Sequence, residues 1–208
     1  MNRYDHALGR IPEKRDNGKI VTFGIDDDIT KSIKKRYRYF RPSDQQKRIG
    51  ILFKVNENFF FSAHAHYHRS TGYVLCDSND EKAECCDIFP KRSRRIACVV
   101  IRYCQDLHHE ILPWVFGHKI FENLKTSHKM FSLKENDIVV SSSRGRGLYP
   151  NYSMMTAGPS QWVHLKDKDV YLSKFNEYRD NMRPIIGREF SDIDEDLLEQ
   201  VYNDTQRV

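Results

Sequence analysis

The 208-residue sequence predicts a mainly β fold with helical additions, arranged as a small Greek-key barrel. Three observations lead there. Six or seven short segments have the length and apolar or alternating pattern of strands. Turn-forming clusters separate them, and only a few segments carry helical spacing. With 39% apolar residues, 11 Tyr, 12 Phe and 2 Trp, the chain can bury one substantial core. Ten Gly and seven Pro exclude collagen-like and low-complexity readings.

Residues 19–25 read as a first strand, ended by Asp26-Asp27-Asp28. Residues 29–40 fit a helix through Ile29, Ile33, Tyr37 and Phe40, stopped by Pro42. They fit a strand from Lys35 equally well, because Arg36-Tyr37-Arg38-Tyr39 alternates with period two. Strands follow at 49–55 and 59–68, around the turn Asn56-Glu57-Asn58. A short return strand at 73–76 comes after the turn Ser70-Thr71-Gly72. Residues 94–103, with Ile96, Ala97, Val99, Val100 and Ile101, read as a strand buried on both faces. Two more strands are expected at 112–116 and 138–141. Helices are expected at 118–130, 168–182 and 192–202. The last has Ser191 as N-cap, acids in its first turn, and Ile193, Leu197, Leu198 and Val201 on one face.

This divides the chain into an N-terminal strand and basic segment (1–47), a barrel core (48–165) with a His/Cys subdomain at about 62–90, and C-terminal helices (166–208). Residues 189–208 hold seven acids against Arg207, a net −6 within an overall +5, which leaves +11 for residues 1–188. A basic body suits an anionic partner, nucleic acid first. Residues 1–15 hold no continuous apolar stretch and no apolar run is long enough to span a bilayer, so neither a signal peptide nor a membrane partner is expected.

Five cysteines, an odd number, argue against a disulfide framework. Three of them cluster with histidines. His64, His66 and His68 alternate, so one strand face carries all three. With Ser70-Thr71-Gly72 as the hairpin loop, Arg69 pairs with Tyr73 and His66 lies opposite Cys76. Cys85 and Cys86 follow after an eight-residue polar loop. The candidate metal ligands are therefore His64, His66, Cys76, Cys85 and Cys86, with one Zn²⁺ as the expected cofactor in a ribbon-like site. Adjacent residues on extended backbone point apart, so a single tetrahedron takes both Cys85 and Cys86 only at a kink. A catalytic zinc would want a carboxylate base; Glu84 is one candidate, and no convincingly spaced carboxylate pair occurs. The protein is expected not to be an enzyme. The alternatives are a metal-dependent nuclease using the histidine strand, or an RNA-binding or protein-interaction accessory factor.

Three clusters interleave cations with rings. The first contains Lys35, Arg36, Tyr37 and Arg38. The second contains Lys91, Arg92, Arg94 and Arg95. The third contains Arg144, Arg146, Tyr149 and Tyr152. Cations follow phosphates and rings stack on exposed bases, a mixture suited to single strands.

The order of these features resembles the DNA-binding core of the T-even bacteriophage single-stranded-DNA-binding (helix-destabilising) protein family. Ile49-Gly50-Ile51-Leu52 resembles the family's strand before its zinc histidine, and Gly72-Tyr73-Val74-Leu75-Cys76 its return strand. Cys85-Cys86-Asp87-Ile88-Phe89 stands where the family has a CxxC and an apolar pair. The stretch from Lys91 to Val100 is similar to its basic segment entering a central strand. Trp114-Val115-Phe116-Gly117-His118-Lys119-Ile120-Phe121 resembles its strand-to-helix junction, and Tyr149-Pro150-Asn151-Tyr152 its cleft loop. The matches span about residues 48–155. The resemblance implies a five-stranded OB-fold with a zinc subdomain and single-stranded DNA in the cleft between them. It adds Trp114 and Lys119 to the DNA-binding candidates, with Trp114, Tyr149 and Tyr152 at bases and Lys91, Arg92, Arg94 and Arg95 at phosphates. It implies roles in phage DNA replication, recombination and repair in the cytoplasm of an infected bacterium. Replication or recombination proteins are the further partners expected, and self-association only on DNA.

Overall fold

The computed structural model describes residues 37–53, 60–76, 83–89, 91–104, 108–143 and 150–206. The strand expected at 19–25 and most of the 29–40 segment lie outside them. Seven antiparallel strands form among these residues, all but the last from segments with period-two or continuous apolar patterning: β1 (Lys47–Leu52), β2 (Phe61–His68), β3 (Gly72–Cys76), β4 (Arg92–Arg102), β5 (Glu110–Gly117), β6 (Asn136–Ser143) and β7 (Asn151–Pro159). They make one sheet in the order β3-β2-β4-β1-β6-β7, with β5 also on β4. Helices α1 (Glu84–Ile88), α2 (His118–Met130), α3 (Lys168–Asp180), α4 (Met182–Ile186) and α5 (Glu195–Gln206) complete the fold. None of them is long and apolar enough to cross a membrane.

The organising strand is β4, eleven residues long. Its first half pairs with β2, from His66↔Arg92 to Phe61↔Ala97. Its second half pairs along the same edge with β1, from Leu52↔Val99 to Ile49↔Arg102. The opposite edge pairs with β5 from Arg95↔Gly117 to Arg102↔Glu110. The β2–β3 hairpin and the β1–β6–β7 arm thus leave β4 one after the other. Among the described residues no ladder joins β5 to β7, so the sheet is open. The segment at 40–43 runs between its arms: Phe40 N donates to Pro113 O at 2.8 Å on β5, and Ser142 N on β6 donates to Ser43 O at 2.6 Å.

Alternation along β4 separates two cores. Ile96, Cys98 and Val100 join Ile49, Ile51, Leu112, Trp114, Phe116, Ile138 and Val140 beneath Ile120 and Leu124 of α2. Ala97, Val99 and Ile101 face Phe175 and Tyr178 of α3 and Met182, Ile185 and Ile186 of α4. Beside Tyr103, at the margin of the second core, Asp137 is fully buried. Its carboxylate accepts from Arg48 Nε and Gln161 N, both at 3.0 Å, and from the Tyr103 hydroxyl at 3.2 Å. Burial, and then the Asp137 charge, push the Tyr103 phenol up. Position 50 is glycine because a Cβ there would lie 2.8 Å from both Asp137 Oδ1 and the Tyr103 hydroxyl.

The structure departs from the sequence expectations in four places. β7 occupies part of what reads as a loop. α1 is an unexpected helix. The helix expected over 168–182 breaks at Asn181 into α3 and α4. The last helix starts at Glu195, with Asp194 O accepting from Leu197 N and Leu198 N; Ser191 belongs instead to a 3₁₀ turn, Phe190–Asp192.

Candidate functional site

The β2–β3 hairpin pairs His64 with Cys76, His66 with Val74 and His68 with Gly72. The loop is therefore Arg69-Ser70-Thr71, which corrects the expected pairing by two residues. Gly72, at φ 73°, takes the left-handed position that closes a three-residue hairpin loop. A two-residue shift preserves facing. His66 and Cys76 still share a face, as diagonal neighbours rather than as a direct pair.

Helix α1 covers this face. Residue Phe89, just past its end, stacks on the His66 ring at 5.8 Å and meets His68 edge-on at 6.4 Å. That places the helix over the His66 end of the hairpin. Helical turns set Cys85 and Cys86 about 100° apart, and both sulfurs reach the ligand group, where extended neighbours would diverge. One ligand atom each from His66, Cys76, Cys85 and Cys86 lies within 4.8 Å of all the others. Cys86 Sγ is 3.6 Å from Cys76 Sγ and 3.6 Å from His66 Nε2. A tetrahedral ion with bonds of about 2.0–2.3 Å requires ligand separations of about 3.6–3.8 Å. The cluster can hold a metal ion.

Its electrostatics suit that role. His66 is 1% exposed, and burial holds its imidazole below the ordinary value, hence neutral and free to ligate. Burial, then the neighbouring Cys76, push the Cys85 thiol up to about 12, and burial first raises Cys86 as well. An ion binding here must displace protons. His64, expected as a ligand, is not part of the cluster. Although it lies opposite Cys76, it also faces Arg94 of β4 and sits half-buried, away from the end α1 covers.

The other expected site residues divide into three groups. Lys35, Arg36, Arg144, Arg146 and Tyr149 lie outside the described residues. Trp114 is corrected: at 1% exposed it packs edge-on against Phe40 at 5.3 Å and Phe116 at 4.8 Å, leaving no ring face for a base. Tyr37 packs edge-on against Tyr178 at 6.1 Å. Tyr152 is half-buried against the first core, the one beneath α2. Arg38 is exposed and paired with Glu110 at 2.8 Å.

Four cations lie at or just before the start of β4, beside the hairpin strand β2, with Arg92 and Arg94 on one sheet face and Arg95 on the other. Lys91 and Arg94 are exposed, Arg92 is half-buried, and Arg95 lies 4.3 Å over the Tyr73 ring. Arg94 also donates to Ser62 Oγ at 3.1 Å. Lys119 is exposed in the first turn of α2. The sequence reading missed Phe89, the ring against His66, and the role of Ile193 and Val201. The apolar stripe of the last helix was the signal for these two: they pack in one cluster with Cys76, Cys85 and Phe89. Comparison of the chain with protein-family models, curated proteins and solved structures finds no match.

Proposed function

We propose that the protein is a non-catalytic, largely sequence-independent binder of single-stranded DNA, built on an OB-fold with one structural Zn²⁺. The barrel reading is supported by strand order. β1 pairs with β4 and β6, β4 with β5, and β6 with β7, and α2 falls between β5 and β6. In that reading β1, β4, β5, β6 and β7 are the five barrel strands.

The observation that carries the binding reading is where the cation and ring clusters fall. OB-folds grip oligonucleotides on their second and third strands and with the loops joining strands 1–2 and 4–5. Here the first of those connections contains the metal hairpin, and the second contains Arg144, Arg146 and Tyr149 in sequence. Ser62, His64 and Arg94 share one sheet face with Arg92, ahead of the first core, and Phe60 at its margin meets Phe116 and Phe121 edge-on. Cations on such a face neutralise phosphates while rings take bases.

The metal reading rests on the donor set. One imidazole and three thiols are the ligands of a closed structural zinc site. Zinc bound there supplies a redox-inert cross-link; His66 and Cys76 fix it to the hairpin, and Cys85 and Cys86 fix it to α1. Roles in phage DNA replication, recombination and repair follow from the family resemblance.

Fluorescence anisotropy of a labelled oligo-dT and of an equal-length duplex, at two salt concentrations, tests the function. The expected result is tight, salt-sensitive binding of oligo-dT alone. Equal binding of both, or of neither, overturns it, and equal affinity for single-stranded RNA would favour an RNA-binding accessory factor.

A further inference from the structure

We propose that the C-terminal segment, from Gly187 through α5, positions Cys85 and Cys86 for the ion, so that metal binding and α5 docking are one coupled equilibrium. The inference rests on the metal reading above and extends it to a part of the chain remote in sequence.

Helix α1 has five residues, and no side chain caps its N-terminus. A helix this short has no intrinsic stability, so its geometry must come from what packs on it. The hairpin packs against it through Val74 and Cys76, and α5 packs against it as well. Val201 is 0% exposed and Ile193 7% exposed, in one apolar cluster with Val74, Cys76, Cys85 and Phe89, and Leu197 and Leu198 pack at its margin. Phe190 meets Phe89 edge-on at 6.5 Å. The ligand-bearing helix is thus held by two walls, one of them contributed from about a hundred residues away.

That second wall is latched to the hairpin at two points. Leu75 N donates to Arg188 O at 2.8 Å and Arg188 N donates to Tyr73 O at 3.1 Å, extending the β3 edge by a short parallel bridge at Val74. The approach is close enough that a Cβ on Gly187 would lie 2.7 Å from Tyr73 O. Near the far end of α5, Asp204 accepts from Arg69 Nη2 at 2.9 Å, with His68 Nε2 at 3.9 Å. Both latches grip the hairpin that carries His66 and Cys76. An ion joining hairpin to α1 therefore stabilises the surface α5 docks on, and docking of α5 holds two of the four ligands in place. Coupling of this kind is reciprocal.

The test uses the full chain loaded with Co²⁺, whose thiolate absorption reports tetrahedral sulfur ligation. In Val201→Ala and Asp204→Ala, competition with a chelator should show Co²⁺ affinity lowered by about 5- to 150-fold, and Val201→Ile should restore most of the wild-type affinity. Hydrogen exchange on the wild-type chain gives a second readout that no folding defect can mimic. Amides of α5 should lose protection when metal is removed, while those of β5 and β6 keep theirs. Wild-type Co²⁺ affinity in both variants, or an α5 that stays protected without metal, would overturn the coupling alone. A wild-type chain that takes up no Co²⁺ would remove the metal reading and the coupling together.

Discussion

Strands β1, β4, β5 and β6 bury apolar side chains in two cores, under α2 on one face and under α3 and α4 on the other. The hairpin β2–β3 with α1 has a different interior. Its centre is His66 and three thiols, flanked by Phe89 and Val74 and closed by α5. The first region carries its stability in area removed from water. In the second, three of the four ligand residues are buried and Cys86 is half-buried, and the four gain a common partner only from an ion. The difference teaches that one sheet, sharing the single strand β4, can hold two regions whose stabilities answer to different conditions.

The largest effect that can break this comparison is metal removal. Structural zinc contributes about 10–16 kcal/mol in small sites, so chelation should sharply lower the protection of β2, β3 and α1 and leave that of the β1–β4–β5–β6 region unchanged. Hydrogen exchange checks this; uniform retention or uniform loss of protection would erase the distinction between the regions.

Next in size is a cavity in the first core. Trp114→Ala should destabilise the protein by about 3–5 kcal/mol in urea unfolding, and leave both metal content and the oligo-dT affinity of the folded chain unchanged. A large loss of affinity without loss of stability would return Trp114 to the binding surface.

A smaller effect is the pH response of the metal-free hairpin. His66 is held below its ordinary 6.5, so the unfolded chain binds more protons in acid, and stability is lost as pH falls below that value. Cys85 is raised from 9.0 to about 12, so the folded state holds its proton longer and stability is lost as pH rises through that window. Each group contributes at most about 1.4 kcal/mol per pH unit. The protection factors of the metal-free hairpin, taken against the intrinsic exchange rate at each pH, should be highest between about pH 6.5 and 9; a flat profile would show that neither shift is felt.

The smallest change in stability is expected at Arg94→Ala. Its side chain is exposed with one bond to Ser62, so unfolding should be unaffected. Oligo-dT binding should weaken evenly across sequences, with the salt slope reduced by about 1. An unaltered slope would take Arg94 off the phosphate path.

Much of the fold was legible because the buried strands carry their own pattern. The apolar run from Ile96 to Ile101 and the strand at 112–116 read correctly, and α2 reads to its observed bounds at 118–130. β7 was not legible: Asn151-Tyr152-Ser153-Met154-Met155-Thr156 has neither β-branched enrichment nor clean alternation, and β6 recruits it by pairing. The hairpin register turned on which of four neighbouring residues takes φ > 0, and a fixed Gly72 does not say whether it lies inside the loop or just past it. For the site, the donor types were readable from the sequence while their arrangement was not. The adjacent cysteines looked incompatible with one tetrahedron because α1 is too short to show helical periodicity. Trp114 reads as a stacking ring by resemblance, yet its alternation with Leu112 and Phe116 is what places it in the core.

The claim that joins the two regions is that one strand of DNA touches both. Ultraviolet cross-linking of oligo-dT to the metal-loaded chain, with the modified peptides mapped by mass spectrometry, tests it directly. The account predicts cross-links in β2 and the first half of β4 together with the β6–β7 connection. Cross-links confined to α3 and α5, or an equal yield with duplex DNA, would contradict it.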